Sequence, residues 1–189
     1  MMRFEIESVH LGEVKVVRPV VQGDRRGWFM ESYRADSFRE LGLPDRFDQD
    51  NHSRSEGGVV RGLHFQWDPP MGKLMRVSHG RAFVVAVDIR RGSPTLGRWY
   101  GREISDEDKL QIWAPAGFAR GFCTLSEVVE VQYKCTATYN APCETGILWN
   151  DPAVGIAWPL ANPVLSDRDA RAQTLADWLA RPESSRLSY

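Results

Sequence analysis

Short runs of β-branched and aromatic residues, separated by turn-forming residues, dominate the hydrophobic pattern of the chain. The strongest runs span residues 14–21, 81–89, 110–116 and 128–137. Clusters rich in Gly, Pro, Asp and Ser separate them, at 22–27, 90–97 and 139–146. Short strands between frequent turns predict an all-β protein, an antiparallel sandwich or barrel. The polar stretch 44–62 predicts irregular chain that leads into a strand.

Two segments carry the spacing of helices. Residues 34–42 place Phe38 and Leu41 three positions apart, and Gly42 gives a stop signal. Residues 166–180 carry an apolar stripe of Leu175, Trp178 and Leu179. We therefore expect a single domain over residues 1–189, with a barrel core at about 14–160 and a C-terminal helix at about 166–180.

Strand alternation assigns a direction to one tyrosine. In the run 128–137, residues Val129, Val131, Tyr133 and Cys135 share one face, and the polar residues between them share the other. The apolar set should face the barrel interior. The sequence therefore predicts that the Tyr133 hydroxyl lies in a cavity, where it needs a polar partner or a ligand.

Composition and charge narrow the range of partners. The chain has 189 residues and a formal net charge of −1, from 24 basic and 25 acidic side chains, so we expect no nucleic-acid or membrane partner. Three cysteines without a CxxC pair are typical of a reducing compartment. The first residues alternate charged with apolar side chains, which does not resemble a signal peptide. We therefore expect a cytoplasmic protein.

The histidines argue against a metal site. There are four, His10, His52, His64 and His79, and no His-x-His pair is present. A small barrel that binds a metal usually supplies such a pair, a carboxylate and a later histidine. The later strand carries Arg120 at the position where that histidine would lie, and a guanidinium cannot ligate a cation.

His64 is the candidate general base. It lies in the segment 49–66, where a polar stretch meets an apolar strand, and a neutral imidazole is suited to accept a proton near pH 7. The alternative is a hydrogen-bonded structural histidine. Asp169 could orient the imidazole, or it could complete a capping box with Ser166 at the start of the predicted helix. The spacing does not separate these roles, and three other carboxylates compete for the first: Asp50, Asp88 and Asp151.

Nine segments form a recognisable pattern: GDRRGWFMESY (23–33), QDNHS (49–53), RGLHFQ (61–66), GKLMRV (72–77), VAVDIRRGSPTLGRW (85–99), PAGFARGF (115–122), YKCT (133–136), ILWNDP (147–152) and LSDRD (165–169). In order and spacing they resemble the dTDP-4-dehydrorhamnose 3,5-epimerase family, which acts on dTDP-linked 4-keto-6-deoxy sugars. The resemblance runs from about residue 10 to 170. It implies a cupin-type jelly-roll barrel with short flanking helices, a homodimer, no cofactor and a role in deoxysugar biosynthesis.

The resemblance also implies roles for individual residues. His64 would be the base, Asp169 would orient it, Tyr133 would be the acid on the opposite face of the sugar, and Lys73 would stabilise the enolate oxygen. Three residues resemble those that one subunit lends to the pocket of its neighbour: Arg26, Phe29 and Glu31. Four more resemble contacts to the nucleotide, its phosphates or the rest of the pocket: Gln49, Asn51, Arg61 and Tyr139. For Arg26, Glu31 and Lys73 the alternative is an ordinary surface charge.

This division of roles agrees with the chemistry of the expected reaction, from dTDP-4-dehydro-6-deoxyglucose to dTDP-4-dehydrorhamnose. The protons at C3 and C5 both lie next to the C4 ketone, so removal of either gives an enolate. Inversion then requires a proton from the other face, from an acid that keeps its proton until a carbanion forms. An ammonium near the C4 oxygen favours the developing negative charge.

The sequence departs from the usual family pattern at two positions. Arg120 replaces a histidine in PAGFARGF, and Thr138 replaces an aromatic residue beside Tyr139. Arg120 cannot act as a base, but it can bind an anion through two N–H groups. We expect it to contact the pyrophosphate or the C4 oxygen; the alternative is neutral drift.

Several other functions fit the same pattern. The enzyme could epimerise at C3 only or at C5 only, use another nucleotide sugar, or move the carbonyl by 3,4-ketoisomerisation. A function of a different class is a barrel that binds nucleotide sugars without turnover. The combination of His64, Tyr133 and Lys73 argues against that last function, because binding alone does not need a base and an acid.

Overall fold

A computed structural model describes residues 3–189. Thirteen strands lie within this range: β1 (Phe4–His10), β2 (Val14–Pro19), β3 (Val21–Asp24), β4 (Gly27–Met30), β5 (Gln49–Glu56), β6 (Val60–Gln66), β7 (Lys73–His79), β8 (Arg81–Asp88), β9 (Trp99–Ser105), β10 (Gln111–Ala114), β11 (Phe118–Thr124), β12 (Val128–Cys135) and β13 (Glu144–Gly146). The α-helices are short: α1 (Ala35–Glu40), α2 (Asp167–Ala170) and α3 (Leu175–Ala180). Two 3₁₀ segments span Ala141–Cys143 and Pro182–Arg186.

The strands form two antiparallel sheets and one separate hairpin. The first sheet has the order β1-β2-β10-β7-β12-β5, and the second has the order β13-β6-β11-β8-β9. Within residues 3–189, strands β3 and β4 pair only with each other. Apart from the pairs β1-β2 and β8-β9, neighbours in the sheets are not consecutive in the chain, which is the pattern of a jelly roll. The cupin-type jelly roll predicted from the sequence is confirmed.

The main core lies between the two sheets. It is built from the inward-facing residues of both, among them Val14, Val16, Val77, Val84, Ile104, Ile112, Phe122, Val129 and Val131. The alternation predicted for residues 128–137 is confirmed, because Val129, Val131 and Cys135 are buried and Tyr133 packs against this core. Burial of this apolar surface is the principal stabilising contribution to such a fold.

Strand β8 is buried on both of its faces. Val84 faces the core between the sheets, while Val85 and Val87 face outward against the C-terminal segment, where Leu175 and Trp178 pack over them. A strand covered on both sides needs no polar face, which explains the continuous apolar run at residues 82–87.

The first half of the chain contains three differences from the prediction. Strand β5 (Gln49–Glu56) lies in the stretch predicted to be irregular, and β1 precedes the expected start of the core at residue 14. Strand β5 lies at the edge of its sheet, so its outer side chains remain in solvent and the segment has no apolar pattern. The predicted run 14–21 is divided after Pro19, which has no N–H to extend a ladder.

The helices are shorter than predicted. Helix α1 confirms the predicted helix at 34–42, but the single helix predicted at 166–180 is wrong, because α2 and α3 are separated by residues 171–174. Each has its own cap: the Ser166 hydroxyl accepts from the Asp169 N–H, and Thr174 forms a reciprocal capping box with Asp177. Within residues 3–189, no helix combines the length and the apolar character required to cross a bilayer.

Two glycines allow β6 and β11 to approach closely. A Cβ atom on Gly121 would lie 2.6 Å from the Arg61 carbonyl oxygen, and one on Gly62 would lie 2.6 Å from the Cα of Gly121. The ladder shifts register here, and it pairs His64 with Arg120 on neighbouring strands. This close packing therefore fixes where the two side chains enter the space between the sheets.

Candidate active site

A hydrogen-bonded pair of His64 and Asp169 stands at one side of the space between the sheets. The Nε2 atom of His64 lies 2.6 Å from Oδ1 of Asp169, whose carboxylate is buried. The other oxygen, Oδ2, accepts from the backbone N–H of Gly62 at 3.4 Å. Strand β6 supplies the histidine and helix α2 supplies the aspartate, so the two residues meet across 105 positions of sequence.

Asp169 fills part of both roles left open by the sequence. Its backbone N–H donates to the Ser166 hydroxyl at 3.1 Å, which is the first half of a capping box. Its carboxylate points to His64 instead of completing the box. The competing carboxylates are used elsewhere: Asp50 pairs with Lys134, Asp88 with Arg90, and Asp151 accepts from the Leu175 N–H.

The electrostatics of Asp169 favour the carboxylate form. Burial raises its pKa, but the hydrogen bond and charge of His64 lower it, as do the N–H of Gly62 and a hydrogen bond with Ser166. The net result is a pKa below the ordinary value for aspartate. The imidazole therefore has an anionic neighbour, which stabilises the imidazolium form after proton uptake.

His64 opens into a cavity of about 140 Å³ between the two sheets. Its lining includes the polar side chains of Ser53, Arg61, His64, Lys73, Arg120 and Tyr133, together with Met75, Gly121 and Phe122. His64 comes from β6 in the second sheet, whereas Tyr133 comes from β12 in the first. The histidine and the tyrosine therefore face the cavity from opposite sheets.

Tyr133 is placed to keep its proton. Burial raises its pKa, and the nearby Cys135 adds to this, while a hydrogen bond with Asn51 and the charge of Arg61 act in the other direction. The net direction is upward from the ordinary value for tyrosine. A phenol of this kind stays protonated at neutral pH and donates only to a strong base.

Lys73 is a cavity residue and not an ordinary surface lysine. Its Nζ atom lies 5.0 Å from the centroid of the Tyr133 ring. Burial, and next the positive charge of Arg120, lower its pKa to about 8. No carboxylate forms an ion pair with Lys73 in the described part of the chain. Its ammonium is therefore available to a negative charge that arrives with a ligand.

Arg120 is buried, with 3% of its surface exposed. Its Nη1 donates to the carbonyl oxygens of Ala114 (3.2 Å) and Pro115 (3.1 Å), and its Nη2 donates to that of Met71 (2.8 Å). Its Nε atom has no hydrogen-bond partner within residues 3–189. Burial lowers the pKa of this guanidinium to about 10. The predicted contact of Arg120 with a substrate oxygen stays a prediction.

The residues that resemble nucleotide contacts lie in and beside the cavity. Gln49 donates to the Asn51 side chain at 2.9 Å and accepts from the Tyr139 backbone N–H at 2.7 Å. Asn51 is the cross-strand neighbour of Tyr133, and Arg61 lines the cavity itself. The Tyr139 side chain is exposed. These residues therefore extend from the cavity toward solvent.

Arg26, Phe29 and Glu31 lie apart from this cavity. The first two belong to the hairpin of β3 and β4, where Arg26 pairs with Asp24 and Phe29 is 64% exposed. Glu31 follows the hairpin and pairs with Arg3 and Arg34. The cavity of a single chain is thus built without these three residues.

Some participants have no visible signal in the sequence. The N–H of Gly62 holds Asp169, and Ser53 lines the cavity from β5. Alternation along β5 directs Ser53 inward, but the polar composition of residues 49–56 does not predict a strand. Within residues 3–189, no three His, Cys, Asp or Glu side chains are grouped so that they could hold a metal ion.

Two facing sheets and a cavity with a histidine and a tyrosine on opposite sides define a cupin-type jelly-roll enzyme. A sequence model described as dTDP-4-dehydrorhamnose 3,5-epimerase matches residues 8–177. The chain belongs to this family of isomerases.

Relatives and solved structures agree with this assignment. The dTDP-4-dehydrorhamnose 3,5-epimerase of Shigella flexneri is 49% identical over 172 residues, which cover 90% of this chain and 95% of that protein. The protein of the same description from Neisseria gonorrhoeae is 48% identical over 186 residues; the match covers 98% of this chain but 56% of the relative. The crystal structure of a dTDP-6-deoxy-D-glucose-3,5-epimerase from Legionella pneumophila, in complex with dTDP-4-keto-L-rhamnose, superposes with a TM-score of 0.91, at 46% identity and 96% coverage of both chains.

Proposed function

We propose that this chain converts dTDP-4-dehydro-6-deoxyglucose into dTDP-4-dehydrorhamnose by inverting C3 and C5, with His64 as base and Tyr133 as acid. The observation that carries the proposal is the placement of a carboxylate-paired histidine and a buried tyrosine on opposite sheets of one cavity. Epimerisation next to a ketone transfers protons only, so side chains can perform it without a redox cofactor.

The first step is removal of a proton by His64. Nε2 is bound to Asp169, so the second ring nitrogen, Nδ1, is the atom free to accept the proton from the sugar carbon. The electron pair of the C–H bond moves toward the C4 oxygen and forms an enolate. Asp169 stabilises the resulting imidazolium without taking the proton itself.

The second step is protonation from the other side by Tyr133. Its hydroxyl faces the cavity from β12, opposite β6, which supports delivery of a proton to the face of the sugar that His64 does not contact. The raised pKa of Tyr133 keeps the proton in place until the carbanion forms. Lys73 supplies positive charge for the enolate oxygen between the two steps.

The sugar is held through its nucleotide. Gln49, Asn51, Arg61 and Tyr139 are the candidate contacts of one subunit, and Arg26, Phe29 and Glu31 are the candidate contacts contributed by a second subunit of a homodimer. Support comes from the hairpin that carries Arg26 and Phe29, because it pairs with no other strand in the part of the chain that the structure describes and presents Trp28 and Phe29 to solvent. Such exposed aromatic surface is typical of an interaction site.

The experiment that tests the function is incubation with dTDP-4-dehydro-6-deoxyglucose in heavy water, followed by NMR. We expect deuterium at both C3 and C5 of a rhamno-configured product. Deuterium at one carbon would identify a single-site epimerase, and a shifted carbonyl carbon would identify a ketoisomerase. The His64→Asn variant should show neither exchange nor product. His79→Asn is the matched control, because His79 is mostly exposed and its carboxylate partner is Asp106, outside the cavity.

A further inference from the structure

Arg120 lines the cavity and connects the two sheets by hydrogen bonds. Its strand, β11, lies in the second sheet, where Arg120 is directly opposite His64. Residues directly opposite on neighbouring antiparallel strands project to the same face. The guanidinium then reaches the carbonyl oxygens of Met71, Ala114 and Pro115 at the margin of the first sheet.

These carbonyls flank Lys73. Ala114 is the cross-strand neighbour of Lys73 in the ladder of β10 and β7, and Met71 lies two residues before Lys73 in the chain. Three hydrogen bonds from a planar guanidinium hold the end of β10 and the segment that leads into β7 in one geometry. Arg120 therefore holds the backbone from which the Lys73 side chain extends.

The same contacts hold two cations close together. Within residues 3–189, neither Lys73 nor Arg120 forms an ion pair. Burial of a charge without a counterion costs free energy, and buried unpaired charges are concentrated at functional sites. A second fixed cation beside Lys73 makes loss of the Lys73 proton easier.

We propose that Arg120 is a positioning residue that acts through Lys73: it anchors the Lys73 backbone and places a permanent positive charge beside the ammonium, which makes Lys73 a proton donor to the enolate oxygen. This inference rests on the proposed epimerisation. It assigns to Arg120 a role that differs from direct contact with the pyrophosphate.

The proton transfer is balanced within the site. When His64 has taken the proton from carbon, an N–H bond of Lys73 breaks and an O–H bond forms at C4, which gives a neutral enol and a neutral amine. When Tyr133 protonates the carbon from the other face, the enol proton returns to the Lys73 nitrogen and the C4 ketone is restored. Lys73 ends the step as it began, while His64 holds the proton taken from carbon and Tyr133 is a phenolate. Proton exchange with water returns both side chains to their starting forms.

The charged surroundings of Lys73 support this role. Burial is the largest cause of its pKa of about 8, and Arg120 is the next. The other groups that act on it are Cys135 and Glu144, which raise the pKa, and Arg168, which lowers it. His64 and Arg61 of β6 and Tyr133 of β12 face the same cavity. Arg120 is therefore the side chain with the largest influence on the Lys73 proton.

The test is an NMR titration of Lys73 in the substrate-free full chain. The sequence contains four lysines, at positions 15, 73, 109 and 134, so protein labelled with ¹³C-lysine gives four Cε signals. The Lys73→Arg variant identifies the Lys73 signal by its disappearance. Lys134, which is paired with Asp50 on the opposite face of β12, is the internal reference.

We expect the Lys73 midpoint to lie near pH 8 in the native chain and to rise by about one pH unit in Arg120→Gln. Arg120→Lys keeps the positive charge but lacks the planar guanidinium that binds three carbonyl oxygens. The Lys73 midpoint should therefore not change, while kcat should fall at unchanged KM. Arg120→His restores the residue usual in the family and is neutral above about pH 7. It should reproduce the rise even if Arg120→Gln does not fold. An unmoved midpoint in a folded neutral variant would overturn the proposal.

The two proposals fail separately. If the Lys73 midpoint rises as expected but the native chain exchanges no sugar proton in heavy water, the proposed function is wrong. If the native chain exchanges both protons and the midpoint is the same in native, Arg120→Gln and Arg120→His proteins, the role of Arg120 is wrong. Both proposals are supported if the pH at which kcat falls in alkaline solution rises in the neutral Arg120 variants together with the NMR midpoint of Lys73.

Discussion

Nε2 of His64 lies 2.6 Å from Oδ1 of Asp169, and the same aspartate lies in the first turn of helix α2, where its backbone N–H donates to the capping Ser166 hydroxyl. One residue thus ties the C-terminal segment to the strand that carries His64. Because β6 and α2 are far apart in sequence, folding of the C-terminal segment onto the second sheet completes the site.

Removal of the Asp169 charge should separate catalysis from folding. In Asp169→Asn the backbone N–H still donates to Ser166, so we expect the chain to fold. The melting temperature should fall moderately, because the native contacts that favour the carboxylate lose their charged partner. The imidazolium loses its stabilising anion, and kcat should fall by about 10³-fold. Steady-state kinetics with a thermal melt measures both quantities. Asp106→Asn, beside the exposed His79, is the matched control. Full activity in Asp169→Asn would contradict the assigned role.

The rate should fall in alkaline solution as Lys73 loses its proton. Its pKa is lowered to about 8 by burial and by Arg120. The protonated form is therefore complete well below pH 8 and is lost as the pH rises through that value. We expect an alkaline limb near pH 8 in the profile of kcat/KM for the free enzyme. Lys73→Arg should remove this limb, and a limb that persists unchanged in that variant would assign it to another group.

The close approach of β6 and β11 should make Gly121 intolerant of a side chain. A Cβ atom there would lie 2.6 Å from the Arg61 carbonyl oxygen. We expect Gly121→Ala to lower the free energy of unfolding by about 1–3 kcal/mol. It should also lower kcat, because the added methyl group pushes β6 and β11 apart and these strands carry His64 and Arg120. Urea unfolding measures the stability. Gly23→Ala is the control, since a Cβ there meets only Gly27 O at 3.8 Å. If Gly121→Ala were as stable as the native chain, the close approach of β6 and β11 at Gly121 would not matter for stability.

A shared pocket should allow two inactive chains to complement each other. In a homodimer with exchanged hairpins, Arg26→Ala removes a group from the neighbour's pocket and His64→Asn removes the base from its own. Each variant alone should be impaired. After mixing and subunit exchange, one of the two sites in each mixed dimer is intact. We expect activity to return in the mixture. Its absence, with mixed dimers demonstrated by native mass spectrometry, would place Arg26 outside the pocket.

The sequence predicts those features that depend on residues close by along the chain. The inward direction of Tyr133 follows from the apolar residues two positions away on either side, and the structure confirms it. Strand β5 was missed because an edge strand with solvated side chains lacks that pattern. The break between α2 and α3 was missed because the capping box of Thr174 and Asp177 lies within an otherwise helical spacing.

Properties that depend on contacts between residues far apart in the chain could not be predicted from the sequence. Ser166 and Asp169 have the spacing of a cap whether or not a histidine is near, so only the fold brings His64 to the carboxylate. Lys73 follows a turn-like segment and resembles a surface lysine, yet it lies in the cavity. The carbonyl oxygens that hold Arg120 belong to residues on other strands and loops, and no motif in the sequence marks them.

The most direct test of the central claim is the fate of the sugar protons in Tyr133→Phe. His64 and the enolate remain, but the acid on the opposite side is gone. In heavy water we expect NMR to show deuterium entering the substrate from the His64 side while its configuration is retained, and little rhamno-configured product. Tyr100→Phe, whose ring stacks on His10 away from the cavity, should behave like the native chain. Inversion at native rates in Tyr133→Phe would contradict a base and an acid on opposite sides of the ring.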